Sequence, residues 1–189
     1  MMYALKRYLI VLLLLLIVPN LHAKDKYQET ITIFKNAGES GQFFNKSYGY
    51  AVFPTIGKGG LGIGGAYGKG QVYEKNNFIG KSQMAQLTIG FQLGGQAYSQ
   101  IIFLKDKSAF DEFTNGNFEF GAEASAVAIT ASASASASTV GSTAGASGNK
   151  ENATTVGNFY KGMAIFTVAK GGLMYEASIG GQKFNYTSN

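Results

Sequence analysis

Gly49–Tyr73 reads GYAVFPTIGKGGLGIGGAYGKGQVY, and this stretch decides the fold. From Tyr48 onward the apolar spacing changes from a helical period to a period of two, as in a strand. Tyr50-Ala51-Val52-Phe53 is a short apolar run, predicted to end at Pro54. Beyond it, even positions hold Gly60, Gly62, Gly64, Ala66, Gly68 and Gly70, while Leu61, Ile63 and Tyr67 fall on odd ones. One face of such a strand has almost no side chains. Glycine inside a strand weakens it and marks a bend, a bulge or close approach by another backbone. The expected structure is therefore two tightly packed sheets or a tightly curled barrel wall.

On the N-terminal side, the spacing predicts a helix from Asp25 to Ala37. Tyr27, Ile31 and Phe34 share one of its faces, and Gly38 follows as a stop signal. Such a face either docks on the domain or lies in a lipid interface, so these three residues are candidate membrane contacts. Earlier still, Lys6 and Arg7 precede an unbroken apolar run from Leu9 to Val18, which Pro19 interrupts before Leu21-His22-Ala23. This is the layout of an export signal over residues 1–23. The run is half the length of about 20 apolar residues that a spanning helix needs. Residues 24–189 then form one expected domain, exported and periplasmic, with no cysteine for lipid attachment.

On the C-terminal side, Lys75-Asn76-Asn77 reads as a turn. Leu87, Ile89, Phe91 and Leu93 alternate with Thr88, Gln92 and glycines, predicting a half-buried strand. Another strand is expected from Ala97 to Leu104. A short helix follows from Asp106 to Asn115, with Ser108 and Asp111 at capping-box spacing, Phe110 and Phe113 on one face, and Gly116 closing it. Phe118, Phe120, Ala122, Ala124, Ala126 and Ala128 share one phase, which flips after Ile129-Thr130 and predicts a bulge or strand end there. Residues 139–157 are rich in Ala, Ser, Thr and Gly, the composition of a flexible loop. Met163 to Ala169 is nearly all apolar, as in a strand buried on both faces, and Leu173 to Ile179 alternates again.

Composition removes many mechanisms. Among 189 residues there is no cysteine or tryptophan, and the lone histidine, His22, lies in the leader with the lone arginine, Arg7. Without them there is no catalytic triad, no thiol nucleophile, no arginine finger, no disulfide framework and no His/Cys metal site. Two apparent nucleotide motifs also fail. Gly60-Leu61-Gly62-Ile63-Gly64-Gly65 fits G-x-G-x-x-G but leads into more period-two sequence rather than a helix, and Gly80-Lys81-Ser82 has Lys75 where a phosphate loop needs glycine. Glu119 and Glu123 would lie about 13 Å apart on a strand, too far to flank one glycosidic bond. The reading is a non-enzymatic protein with no cofactor and no metal. Without Lys6 and Arg7, fourteen lysines face eleven acidic residues, an excess of +3 that suits an anionic surface. Nucleic acid is not an expected partner, because arginine for bidentate base contacts is lacking.

GYAVFPTIGKGGLGIGGAYGKGQVY (Gly49 to Tyr73) resembles the opening signature of SYLF domains, also called the Ysc84 actin-binding domain. The resemblance continues through TIGFQLGGQAYSQIIF (Thr88 to Phe103), NFEFGAEASAVA (Asn117 to Ala128) and KGMAIFTVAKGGLMYEASIGGQKFNY (Lys161 to Tyr186). It implies a lipid-binding module. Eukaryotic members bind phosphoinositides and some bind actin, whereas exported bacterial members are periplasmic or membrane-associated.

The resulting expectation is a β-rich α+β fold: a curled antiparallel sheet or partial barrel, with an N-terminal helix and one short internal helix. Its function would be binding of anionic membrane lipids, with Lys58, Lys69, Lys170 and Lys183 as candidate contacts beside glycine-rich turns or strand ends. The alternatives are a small outer-membrane barrel and a scaffold that binds another envelope protein.

Overall fold

The computed structural model describes residues 25–90, 95–121, 124, 126–129, 159–170 and 179–189. The export signal, the strand positions Phe91 and Leu93, Glu123, the 139–157 segment and the strand expected from Leu173 lie outside the described residues. So does the phase flip beyond Ile129.

The N-terminal helix α1 (Lys26–Asn36) starts where expected, with Asp25 as N-cap accepting from the Tyr27 amide. A short turn of helix, α2 (Gly38–Gly41), and a 3-10 turn (Gln42–Asn45) follow. The strands are β1 (Gly49–Glu74), β2 (Asn77–Gly90), β3 (Gln96–Leu104), β4 (Phe118–Glu119), β5 (Val127–Ile129), β6 (Met163–Lys170) and β7 (Lys183–Ser188). Helix α3 (Lys107–Thr114) lies between β3 and β4. Its cap is Asp106, which accepts from the Ala109 amide, not the expected Ser108–Asp111 box. Phe110 and Phe113 are buried as anticipated. All seven strands form one curled sheet in the order β4-β7-β2-β1-β3-β6-β5, antiparallel except for β5 beside β6.

Strand β1 explains the curl. Its 26 residues would span about 86 Å if straight, far more than a domain this size is wide. It therefore bends and changes partners, pairing with β3 over Gly49–Lys58 and with β2 over Gly62–Glu74. Pro54 does not end the strand. The register slips between Phe53 and Ile56, so the proline occupies a bulge that needs no amide donor, and the Ser99 hydroxyl donates to its carbonyl at 2.8 Å. The second bend falls at Gly60, whose φ of +152° favours glycine. After it the strand packs back on itself: a Cβ on Gly68 would lie 2.6 Å from Ile56, and one on Gly70 would lie 2.6 Å from the Phe53 ring. The nearly bare glycine face is thus filled by side chains from the first half of the same strand. At the other end, Lys75 and Asn76 take positive φ in the two-residue turn to β2.

The sheet separates two cores. Inside the curl, Phe53, Ile56, Val72, Met84, Ile102, Leu104, Ile165 and Phe184 pack together, closed at one end by Phe110 and Phe113 of α3. Outside it, Ile31 and Phe34 of α1 and Phe43 and Phe44 of the 3-10 turn cover Tyr50, Val52, Ile101, Phe103 and Phe166. β3 and β6 supply residues to both cores, so the apolar β6 is buried on both faces as its sequence implies. The inner core is polar at its centre. Gln182 donates to the Tyr98 hydroxyl at 3.1 Å, Gln100 donates to Gln182 at 2.9 Å, and Gln86 donates to the Gly180 carbonyl at 2.8 Å. Burial pushes Tyr98 up to about 12, with the Gln182 amide pulling weakly the other way, and burial likewise pushes Tyr50 up to about 12.

Two outcomes follow from this packing. Gly68→Ala is expected to lower the unfolding free energy by about 1–3 kcal/mol through overpacking, whereas Gly57→Ala, with nothing within 4 Å of the added carbon, stays within about 0.5 kcal/mol; denaturant melts compare them. The tyrosines make stability fall at high pH. Below pH 10 both folded and unfolded chains keep these protons. Above it the unfolded chain ionises first, so the melting temperature is expected to drop between pH 10 and about 12. Tyr98→Phe should flatten that drop in a thermal melt series.

Candidate functional site

Among the described residues, the outer face of the sheet is only half covered. The N-terminal helices shield β3, β6 and the two ends of β1. The remaining outer face, formed by β1 after its second bend together with β2 and β7, carries exposed side chains. Register places them in rows, since successive outward residues on a strand are about 7 Å apart and neighbouring strands about 4.8 Å apart.

Nearest the bend, Ile63 lies opposite Ile89 and Gly65 opposite Leu87. The next row runs Tyr67, Ala85, Lys183, Glu119 across four strands. Lys69, Gln83 and Asn185 follow, and then Gln71, Lys81 and Thr187. Ile63 is 74% exposed, Leu87 85% and Tyr67 49%, so the first rows form an apolar surface. Behind them lies a basic belt. Lys69 and Lys81 sit diagonally across adjacent strands, roughly 7–8 Å apart, and both are exposed. Lys183 is held 3.4 Å from Glu119. Among the described residues Lys69 and Lys81 have no acidic partner. The Tyr67 hydroxyl donates to Gln83 at 3.3 Å, tying the aromatic row to the basic one.

Of the four lysines singled out from sequence, the fold brings Lys69 and Lys183 to this face. Lys58 and Lys170 are elsewhere. They lie at the end of the sheet where β1 makes its second bend, Lys58 opposite Gln96 and Lys170 in the row with Gly57 and Ala97. Lys170 donates to the Thr55 hydroxyl at 2.9 Å. Lys81, overlooked in the sequence, completes the belt; only the β1–β2 register shows that it neighbours Lys69. The helix face expected to touch a membrane is otherwise engaged: Ile31 and Phe34 are buried against the sheet, and Tyr27 packs partly against the same core. In this conformation those side chains hold α1 to the domain, and a membrane contact through them would require the helix to leave it.

Leu87 marks another departure. Its strand is half-buried as expected, but the in-facing residues are Ser82, Met84 and Gln86. Pairing imposes this phase, because Gln86 lies opposite Ala66, Met84 opposite Gly68 and Ser82 opposite Gly70, and those partners face inward. Polar groups are thus turned in and leucine out. The inward polar cluster is no rival surface. Ser82, Gln86, Gln100, Thr167 and Gln182 are all buried and uncharged. Tyr98, raised by burial, keeps its proton at neutral pH. No group of three or more His, Cys, Asp or Glu that would suit a metal occurs among the described residues, and no described helix is long and apolar enough to cross a membrane.

Residues 85–188 match the family model Ysc84, described as "Las17-binding protein actin regulator". The chain is also 30% identical over 155 residues to beta cell expansion factor A of Aeromonas veronii, an alignment that takes in 82% of this chain and 51% of that protein. It therefore spans about half the length of that relative. With the family match covering more than half of its residues and the curled glycine-rich sheet in place, the chain belongs to the Ysc84 (SYLF) family.

Proposed function

We propose that this protein is a non-enzymatic, exported envelope protein that binds anionic phospholipid or phosphoinositide-like headgroups. The reading rests on one observation: among the described residues, the exposed outer face of β1, β2 and β7 gathers Lys69, Lys81 and Lys183 against a single carboxylate, Glu119. A strand-borne belt holds its charges at fixed spacing. Each lysine near an anionic bilayer contributes about 1 kcal/mol, an effect confined to roughly a Debye length. Family membership favours a SYLF-type lipid module over a new activity, and the lysine excess is consistent with it. The leader-like start supports export to the periplasm.

An integral barrel fits less well. Its outer surface must face lipid all round, but here helices cover the outer side of β3 and β6.

Vesicle flotation tests the proposal. The protein is expected to float with vesicles containing anionic phospholipid and to be released as salt rises. At about fivefold per lysine, the double variant Lys69→Gln/Lys81→Gln should bind about 30-fold more weakly. Lys105→Gln, beyond the opposite end of β3, should stay within about twofold of the parent. Equal recovery on neutral and anionic vesicles would overturn the electrostatic reading.

A further inference from the structure

We propose that the end of the β1–β2 ribbon farthest from the Lys75–Asn76 turn enters the bilayer, with Ile63 and Leu87 in the acyl boundary and Tyr67 at headgroup depth. This deepens the lipid-binding reading above and rests on it, but makes a separate claim: the protein penetrates as well as adheres.

The order of rows along the ribbon carries the inference. From the bend towards the turn the β1–β2 outer face passes from Ile63 and Leu87, to Tyr67, whose row ends beyond β2 in the Lys183–Glu119 pair, to Lys69, to Lys81. Apolar, then aromatic, then basic is the order of environments met on leaving a bilayer core, since tyrosine favours the interface and lysine the phosphate layer. The distances agree. Leu87 and the Lys69 row are four residues apart, about 13 Å, enough for an apolar segment buried about 5–10 Å deep with lysines still at the surface. The backbone suits this role too. At this end the ribbon is paired over Gly62–Gly90 and Ile63–Ile89, so its strands satisfy each other's ladder groups. Lys58 and Lys170 lie at the same end of the sheet but on β1 before its bend and on β6, off the β1–β2 ribbon face, so they would have to reach back to the headgroups.

A second copy of the chain is a poorer occupant of the whole face, because a twofold axis through the belt would bring together the Lys69 and Lys81 of both copies, which have no acidic partner among the described residues. A protein-binding core would also be expected to exclude lysine.

The chain contains no tryptophan, so Leu87→Trp supplies a single reporter. Leu87 is largely exposed, so neither this change nor Leu87→Asp disturbs the core. The full protein is mixed with vesicles of neutral and anionic phospholipid. The expected result is a blue-shifted emission, quenched by lipids brominated on their acyl chains, with at least tenfold weaker flotation for Leu87→Asp. If the parent and Leu87→Asp float equally and acyl bromines do not quench, the insertion claim falls while headgroup binding stands. If the parent does not float with anionic vesicles, both fall. A blue shift that appears with rising protein concentration and no lipid would instead assign the face to self-association and overturn insertion.

Discussion

The contact of β1 with itself governs the rest of the structure. Phe53 and Ile56 lie where side chains on Gly70 and Gly68 would otherwise be, and only glycine there lets the two halves of one strand approach so closely. Every other strand takes its place from that fold-back. β3 follows the first half, β2 the second, and β6 and β7 are added outside them. The bulge at Pro54 and the positive-φ backbone at Gly60 supply the bending that a continuous ladder would resist.

Curling divides the chemistry of the sheet. On the outer side, α1 and the 3-10 turn bury the aromatic half formed by Tyr50, Phe103 and Phe166. That burial uses the apolar face of α1 for stability and leaves the β1–β2–β7 half for contact with the surroundings. On the inner side, the phase that follows from the glycines turns Ser82, Gln86 and Gln100 inwards, where hydrogen bonds among glutamines and Tyr98 help join opposite walls. Gln100 and Gln182 are satisfied by those partners, whereas the Ser82 hydroxyl and the Gln86 side-chain oxygen find none among the described residues; Leu87 is turned out to the surface.

On the proposed reading, such a surface would work by geometry and charge rather than by bond making. The backbone positions of its lysines are fixed on strands, so in that proposal only the side chains would need ordering against anionic headgroups. The apolar rows lie at one end of the belt rather than scattered through it, which in the proposed insertion would set a direction relative to a bilayer. Tyr67, bonded to Gln83, stands between them.

Much of the fold was legible in the linear sequence because its signals are local. The α1 and α3 spacings, the unbroken apolar run of β6 and the glycine-filled phase of β1 each record the surroundings of a single element. The apolar run ends at Pro54 but the strand does not, because the bulge that accommodates the proline depends on the partner strand. Leu87 was expected on the buried side because alternation has two phases, and only pairing with Ala66, Gly68 and Gly70 selects one. Sequence alone therefore determined where β1, β3, β6, α1 and α3 form, and that one face of β1 must be approached closely, but it missed β7 and the part of β2 before Leu87. Tertiary structure alone decided which lysines stand together and that Tyr27, Ile31 and Phe34 turn towards the domain. The physical reason is that local periodicity records how often a side chain meets a wall, while neighbours and sidedness arise from register between strands far apart in the chain.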